Sequence, residues 1–243
     1  MISYNSIGQN GRLGNQMFQY ASLKGIATNR NFQYSIPPHG NGLVKYFTLS
    51  PDCVLETKIQ DGVLNERFFH FDDQLFNNCP DNVDLNGYFQ SYKYFDNIKN
   101  VLLEDFSFKK KYTKPFENYI AIHVRRTDYV SQQNFHPVCD ISYYQQALSI
   151  INKKHPIVVV SDDIEWCKNN IGADLYSDKK QDEDLFIMMN ATHNIIANSS
   201  FSWWGAWLNQ NKEKIVVAPK NWFGPAYSHY NMNDIRPPEW IQI

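Results

Sequence analysis

The sequence predicts an α/β fold, an open parallel sheet wrapped by helices, and three observations carry that expectation. Short apolar runs rich in Ile and Val recur through the second half of the chain, at Tyr119–Val124, Ile157–Val160, Asn194–Ala197 and Ile215–Ala218. Each is bounded by polar or turn residues, the pattern of strands buried on both faces. Segments of helical length separate them, and regular strand–helix alternation produces right-handed crossovers. The length, 243 residues, suits one large or two small domains whose core needs no disulfide or metal.

The first half is less regular. Ile2–Ile7 reads as a strand, Asn15–Thr28 as a helix entered through the turn GRLG, and Phe32–Ile36 as a second strand. From there to Phe108 the chain is rich in Asn, Asp and Phe and shows no sustained period. The basic stretch Lys109–Lys114, closed by Pro115, marks a boundary between domains at 1–110 and 111–243. In the second half, Ser142–Lys154 sets Tyr143, Ala147, Leu148 and Ile151 on one stripe. Ile164–Asn170 is a weaker helix and Asp174–Tyr176 a short strand. Asp182–Thr192 opens with acids, which suit a helix N-terminus, and Ser202–Gln210 opens with serine.

Composition narrows the class. With 43% hydrophobic and 20% charged residues, disorder, collagen-like repeats and coiled coil are all excluded. The net charge is −2 and each half is close to neutral, which rules out nucleic-acid binding through bulk charge. Cys53, Cys79, Cys139 and Cys167 form no CxxC or Cys/His ligand pair, so neither zinc nor a disulfide framework is expected. The N-terminus lacks the pattern of a signal peptide and no apolar run approaches a membrane span. A cytoplasmic protein is expected, with room left for peripheral membrane association.

Ligands of open parallel sheets bind beyond the carboxyl ends of the strands. Three such ends carry polar clusters here: Arg125-Arg126-Thr127-Asp128, Ser161-Asp162-Asp163, and Asn198-Ser199-Ser200-Phe201-Ser202. Arg125 and Arg126 offer forked donors that match phosphate oxygens. A helix opening among serines adds hydroxyls and unpaired N–H groups for the same anion. Asp162 or Asp163 can accept from ribose hydroxyls or a guanine edge. Taken singly, each cluster has a plainer reading: Asp128 as the ion-pair partner of Arg125, His123 as a core histidine, Ser199–Ser202 as a helix cap, and Trp203, Trp204 and Trp207 as core. Three clusters on the ends of one sheet describe instead a nucleoside diphosphate site.

These residues resemble a known family. GRLGNQMFQYA (Gly11–Ala21), HVRRTD (His123–Asp128), SDD (Ser161–Asp163) and NSSFSWWGAWL (Asn198–Leu208) are similar, in order and spacing, to glycosyltransferase family 11, the α-1,2-fucosyltransferases. HxRRxD is shared with α-1,6- and protein O-fucosyltransferases, whereas the first and last motifs point to this family.

The resemblance implies a GT-B-like architecture, two Rossmann-like domains facing a cleft, with GDP-fucose on the C-terminal parallel sheet and the acceptor glycan on the N-terminal domain. Arg125 would be the main β-phosphate ligand, with His123, Arg126 and Asp128 orienting it and the fucose. Asp162 or Asp163 would recognise the nucleoside, and Ser199–Ser202, preceded by Asn198, the pyrophosphate. Gly14, Asn15 and Gln16 would face the donor. The implied reaction is an inverting transfer of fucose to a galactoside 2-hydroxyl. It would need no metal and no cofactor, since no acid pair is placed to hold a cation on a pyrophosphate. No base is named; His39, His70, Asp72, Asp73 and Glu66 lie in the acceptor half. The alternatives are another GDP-sugar or O-fucosyltransferase-like enzyme, and, because the chain is short for the family, a non-catalytic nucleotide- or glycan-binding relative.

Overall fold

The computed structural model describes residues 1–152 and 154–243. The chain divides into two compact units, Met1–Lys111 with Tyr230–Pro237, and Tyr112–His229 with Pro238–Ile243.

Unit 1 carries β1 (Ile2–Ser3), α1 (Leu13–Arg30), β2 (Tyr34–Ile36), α2 (Gly42–Tyr46), β3 (Cys53–Leu55), β4 (Gly62–Asn65), α3 (Asp73–Asn78), β5 (Val83–Asn86) and α4 (Lys99–Asp105). Its five strands form a parallel sheet in the order β3-β2-β1-β5-β4. Three of them lie in the stretch whose sequence shows no period. The reason is their setting: β3 and β4 are edges, β4 is largely exposed, and β5 alternates imperfectly, so no apolar run is required. The expected strand Ile2–Ile7 shortens to two residues because the chain turns at Tyr4, whose carbonyl accepts from Ile7 N–H at 3.2 Å.

Helix α1 is buried from Leu13 to Ala27 with only Asn15 partly open. Its buried lysine and Tyr20 are satisfied inside. Lys24 Nζ and Tyr20 Oη both donate to Asp105, at 2.5 and 2.7 Å, and Ser50 N–H donates to its other oxygen at 3.1 Å. Gly25 lies where a Cβ would come within 1.8 Å of the Tyr94 carbonyl oxygen, so only glycine allows the helix this close.

Unit 2 carries β6 (Ile120–Val124), α5 (Thr127–Ser131), α6 (Ile141–Ile151), β7 (Ile157–Ser161), α7 (Ile164–Asn170), β8 (Leu175–Ser177), α8 (Gln181–Met189), β9 (His193–Ile195), α9 (Ser200–Leu208), β10 (Val216–Ala218) and β11 (Ile241–Gln242). The sheet order is β11-β10-β9-β6-β7-β8, every neighbouring pair parallel. Every residue of the central β6 is buried, as its apolar sequence requires. Helix α6 ends at Ile151 because Asn152 takes a left-handed conformation that stops it, three residues before the expected end; Lys153 lies outside the described residues. Trp203, Trp204 and Trp207 are core, with Trp203 and Trp207 stacked at 5.7 Å and Trp240 packed on Trp203. Among the described residues no helix is long and apolar enough to cross a membrane.

Candidate active site

Strands β6, β7 and β9 are neighbours in one parallel sheet, so their carboxyl ends open on the same edge. Arg125, the first residue after β6, is nearly buried. Its guanidinium pairs with Asp128 on one side and Asp162 on the other, and donates to the Thr127 hydroxyl at 3.2 Å. It lies over the Tyr129 ring, 5.0 Å from the centroid. Arg126 donates its backbone N–H to Asp162 at 3.0 Å and its Nε to Asp163 at 3.1 Å, and its guanidinium sits 4.2 Å from the Trp166 ring. The carboxylates fix each planar fork in one orientation while leaving further N–H donors on each guanidinium.

Asp162 and Asp163, expected to read the nucleoside, are thus engaged with the arginine pair. Asp162 accepts from Thr127 Oγ1 at 2.6 Å as well, and Asp163 caps α7 by accepting from Trp166 N–H at 3.2 Å. Ser161 supports this turn by accepting from Asp163 N–H at 2.9 Å.

His123, on β6, is 5% exposed. Burial pushes its pKa down to about 3, and the Arg125 charge adds to the depression, so the ring is neutral at physiological pH. Its Nδ1 has no hydrogen-bond partner among the described residues, unlike that of a satisfied core histidine. The ring packs on Phe201 in the first turn of α9, centroids 5.4 Å apart.

The N-terminus of α9 supplies the third cluster. Ser199 is its N-cap and makes no side-chain cap bond. The Ser202 hydroxyl is buried and donates back to the carbonyls of Ala197 and Ser199, so among the serines it is committed to the turn itself. Asn198 is a brace: its amide donates to the carbonyls of Pro137 and Trp222, both at 3.0 Å. Tyr129 links the clusters, since its ring faces Arg125 and its hydroxyl donates to the Asn198 carbonyl at 3.2 Å.

Sequence reasoning missed Tyr129, Trp166 and His136, whose ring stacks on Tyr129 at 4.8 Å. The available signal was local. An aromatic four residues after Arg125 falls on α5, and one three residues after a capping Asp falls on α7.

The structure brings Arg125, Arg126, Asp128, Asp162, Asp163, His123 and Asn198–Ser202 together in unit 2. Gly14, Asn15 and Gln16 form the first turn of α1 in unit 1. There Asn15 accepts from Gln90 Nε2 at 2.8 Å and the buried Gln16 accepts from Gly42 N–H at 2.7 Å. Of the acceptor-half residues, Asp72 is the N-cap of α3 and holds Arg67 through two bonds, while Asp73 is exposed on the helix. His39 is exposed and His70 is partly buried. Glu66 is the first residue after β4. Among the described residues no group of three or more His, Cys, Asp or Glu is placed to hold a metal ion.

The family model for Glycosyl transferase family 11 matches residues 1–243. The chain belongs to glycosyl transferase family 11. It is similar to an α-1,2-colitosyltransferase of Escherichia coli, 29% identical over 96% of both chains. It is also similar to the O-antigen biosynthesis glycosyltransferase WbnK of Escherichia coli, 31% identical over 73% of this chain and 66% of that protein. The galactoside 2-α-L-fucosyltransferase SEC1 of Bos taurus is 26% identical over 84% of this chain and 64% of its own length. Among solved structures, NodZ α-1,6-fucosyltransferase soaked with GDP-fucose superposes with a TM-score of 0.53 at 11% identity, covering 85% of this chain and 91% of that one. An Arabidopsis thaliana fucosyltransferase in complex with GDP gives 0.54 at 14% identity over 97% and 74%. This family 11 chain therefore has the α/β, GT-B-like fold of the fucosyltransferases, with one parallel sheet in each unit.

Proposed function

We propose that this family 11 protein transfers L-fucose from GDP-β-L-fucose to the 2-hydroxyl of a galactoside in a glycan acceptor, with inversion and without a metal ion. One observation carries the reading: two fixed guanidiniums and the start of α9 meet at the carboxyl ends of one parallel sheet, with Tyr129 bridging them. That is a donor set for a diphosphate. Unit 2 would hold the nucleotide sugar and unit 1 the acceptor.

The chemistry follows from where charge develops. The acceptor oxygen bonds to the fucosyl anomeric carbon as the bond to the β-phosphate oxygen breaks. The electron pair goes to GDP, the configuration inverts, and the acceptor hydroxyl's proton passes to solvent. The sugar passes through an oxocarbenium-like state, so charge on the departing phosphate dominates the barrier. Arg125 and Arg126, held by carboxylates before the reaction, stabilise that charge without reorganising. His123 stays neutral beside them and adds no cation to compete.

A second donor is favoured by one observation, the 29% identity to an α-1,2-colitosyltransferase over nearly the whole chain. Colitose is fucose without its 3-hydroxyl, so the same diphosphate site would accept it. A donor-hydrolysis screen over GDP-fucose, GDP-colitose, GDP-mannose, UDP- and ADP-sugars, run with and without excess EDTA, tests the proposal. GDP-fucose hydrolysis unchanged by EDTA is expected, with UDP- and ADP-sugars inert. Activity lost to EDTA and restored by Mn²⁺ would remove the metal-free mechanism, and preference for GDP-colitose would move the donor to the second reading.

A further inference from the structure

We infer that the carboxyl ends of β4 and β5 in unit 1 form a pyranose-binding site, in which Glu66 accepts from a sugar hydroxyl and the exposed rings of Phe68 and Tyr88 cover its apolar face. The inference rests on the proposed fucosyltransferase reading and deepens it by locating the residues that read the acceptor.

Strands β4 and β5 pair in register up to Asn65 and Asn86, so Glu66 and Gly87 leave the sheet side by side. Gly87 has a φ of +151°, and a Cβ there would stand 2.4 Å from Cβ of Glu66. Glycine thus lets the chain fold over this carboxylate and turn its next two amides onto it. Tyr88 N–H donates to Oε2 at 2.7 Å and Phe89 N–H to Oε1 at 2.9 Å. Each oxygen keeps a second lone pair. The two amides hold a carboxylate that burial has made costly to ionise, pushing its pKa up to about 7.

The segments that follow β4 and β5 leave large rings open. Phe68 is 43% and Tyr88 45% exposed. Phe68 lies two residues beyond Glu66 and is braced by His70, stacked on it at 4.9 Å and 21°, and by the Arg67 guanidinium at 5.5 Å. Neighbours on the same segment have other work: Arg67 is tied to Asp72, and Phe71 packs on Tyr94 and Phe76. Exposed rings on the two segments that leave the sheet with one oriented carboxylate match a pyranose, whose C–H face is apolar and whose edge is hydroxylated. Strand carboxyl ends are also where parallel sheets take their ligands.

The test is saturation-transfer NMR with lactose on the full chain, with GDP-fucose hydrolysis measured separately. Lactose should receive saturation from the wild-type protein. Phe68→Ala, an exposed change that leaves the melting temperature in place, should weaken lactose binding about tenfold, and Glu66→Gln should do the same. Phe135→Ala, an equally exposed ring in unit 2, should leave the signal as it was. Absence of transfer to lactose, or an undiminished signal in both unit 1 variants, overturns the site. Failure of the wild-type protein to hydrolyse GDP-fucose overturns the fucosyltransferase reading instead, whatever lactose does.

Discussion

The two units solve one problem, burying a parallel sheet, with different materials. Unit 2 uses aliphatic strands: β6 and the last four residues of β7 are buried, and Ile120, Ile122, Val124, Val159, Ile195 and Val217 share one core with α6. Unit 1 has a two-residue central strand and exposed edges, and fills its core with aromatic rings such as Tyr4, Phe18, Tyr20, Phe47, Phe89, Tyr94 and Phe95. It also buries a charge pair, Lys24 with Asp105, whereas the nearly buried Arg125 of unit 2 pairs with Asp128 and Asp162 at the strand ends. Unit 1 therefore depends on a buried ion pair for its stability, whereas unit 2 places its buried arginine at the site.

The sharpest way to break that contrast is to replace one basic residue in each unit. Lys24→Met leaves Asp105 buried with only Tyr20 Oη and Ser50 N–H, and an uncompensated buried charge costs about 3–5 kcal/mol. Thermal melting should fall by many degrees, and Lys24→Met combined with Asp105→Leu should recover a large part of the loss. A single variant that melts with the parent would show that the pair does not hold unit 1 together.

In unit 2, Arg125→Lys should leave melting nearly unchanged and lower kcat on the order of 10²-fold, as for loss of one preorganised transition-state donor. Lysine keeps the charge but cannot bridge Asp128 and Asp162 while presenting a planar fork. GDP binding should weaken by less, since the contact is strongest as charge builds on the leaving oxygen. Turnover close to the parent in a folded Arg125→Lys protein would end the case for a phosphate fork.

The next effect is one of pH. The folded-state pKa of His123 is depressed from 6.5 to about 3, so its contribution to stability is full above 6.5 and is lost as pH falls toward 3. Between pH 6.5 and 5 that loss is about 2 kcal/mol. His123→Gln cannot protonate, so its melting temperature should fall less than the parent's over this interval. Parallel curves would mean that His123 is not held neutral by burial and Arg125.

The same contrast explains what could be read in advance. Strands such as Ile157–Val160 announced themselves because burial on both faces demands a continuous apolar run. The strands of unit 1 did not: Val63 is exposed on an edge, and Asp84 on β5 is tied to Ser3 and Asn5, so polar residues sit where a pattern would need apolar ones. At the site, Arg125, Arg126 and His123 were legible as polar residues interrupting or ending a buried run. Tyr129 and His136 were not, because an aromatic beside an arginine has no sequence period; only the fold brings ring and guanidinium face to face.

The smallest expected effect separates two jobs for the aspartates after β7. If Asp162 serves chiefly to hold Arg125, Asp162→Asn should weaken GDP about tenfold, the worth of one hydrogen bond to a charged group. Inorganic pyrophosphate should weaken by the same factor, because the loss lies in the alignment of the fork and not in the base. Asp163→Asn keeps a good cap for α7 and loses only the Arg126 pair, which is partly open to solvent, so GDP should weaken a few-fold at most. Isothermal titration with GDP, guanosine and pyrophosphate reads these terms apart. A loss confined to GDP and guanosine would return Asp162 or Asp163 to the nucleoside, the role their position after a strand first predicts. A loss common to GDP and pyrophosphate assigns them to the arginines, and unit 2 then reads its guanine with residues elsewhere on the same sheet edge.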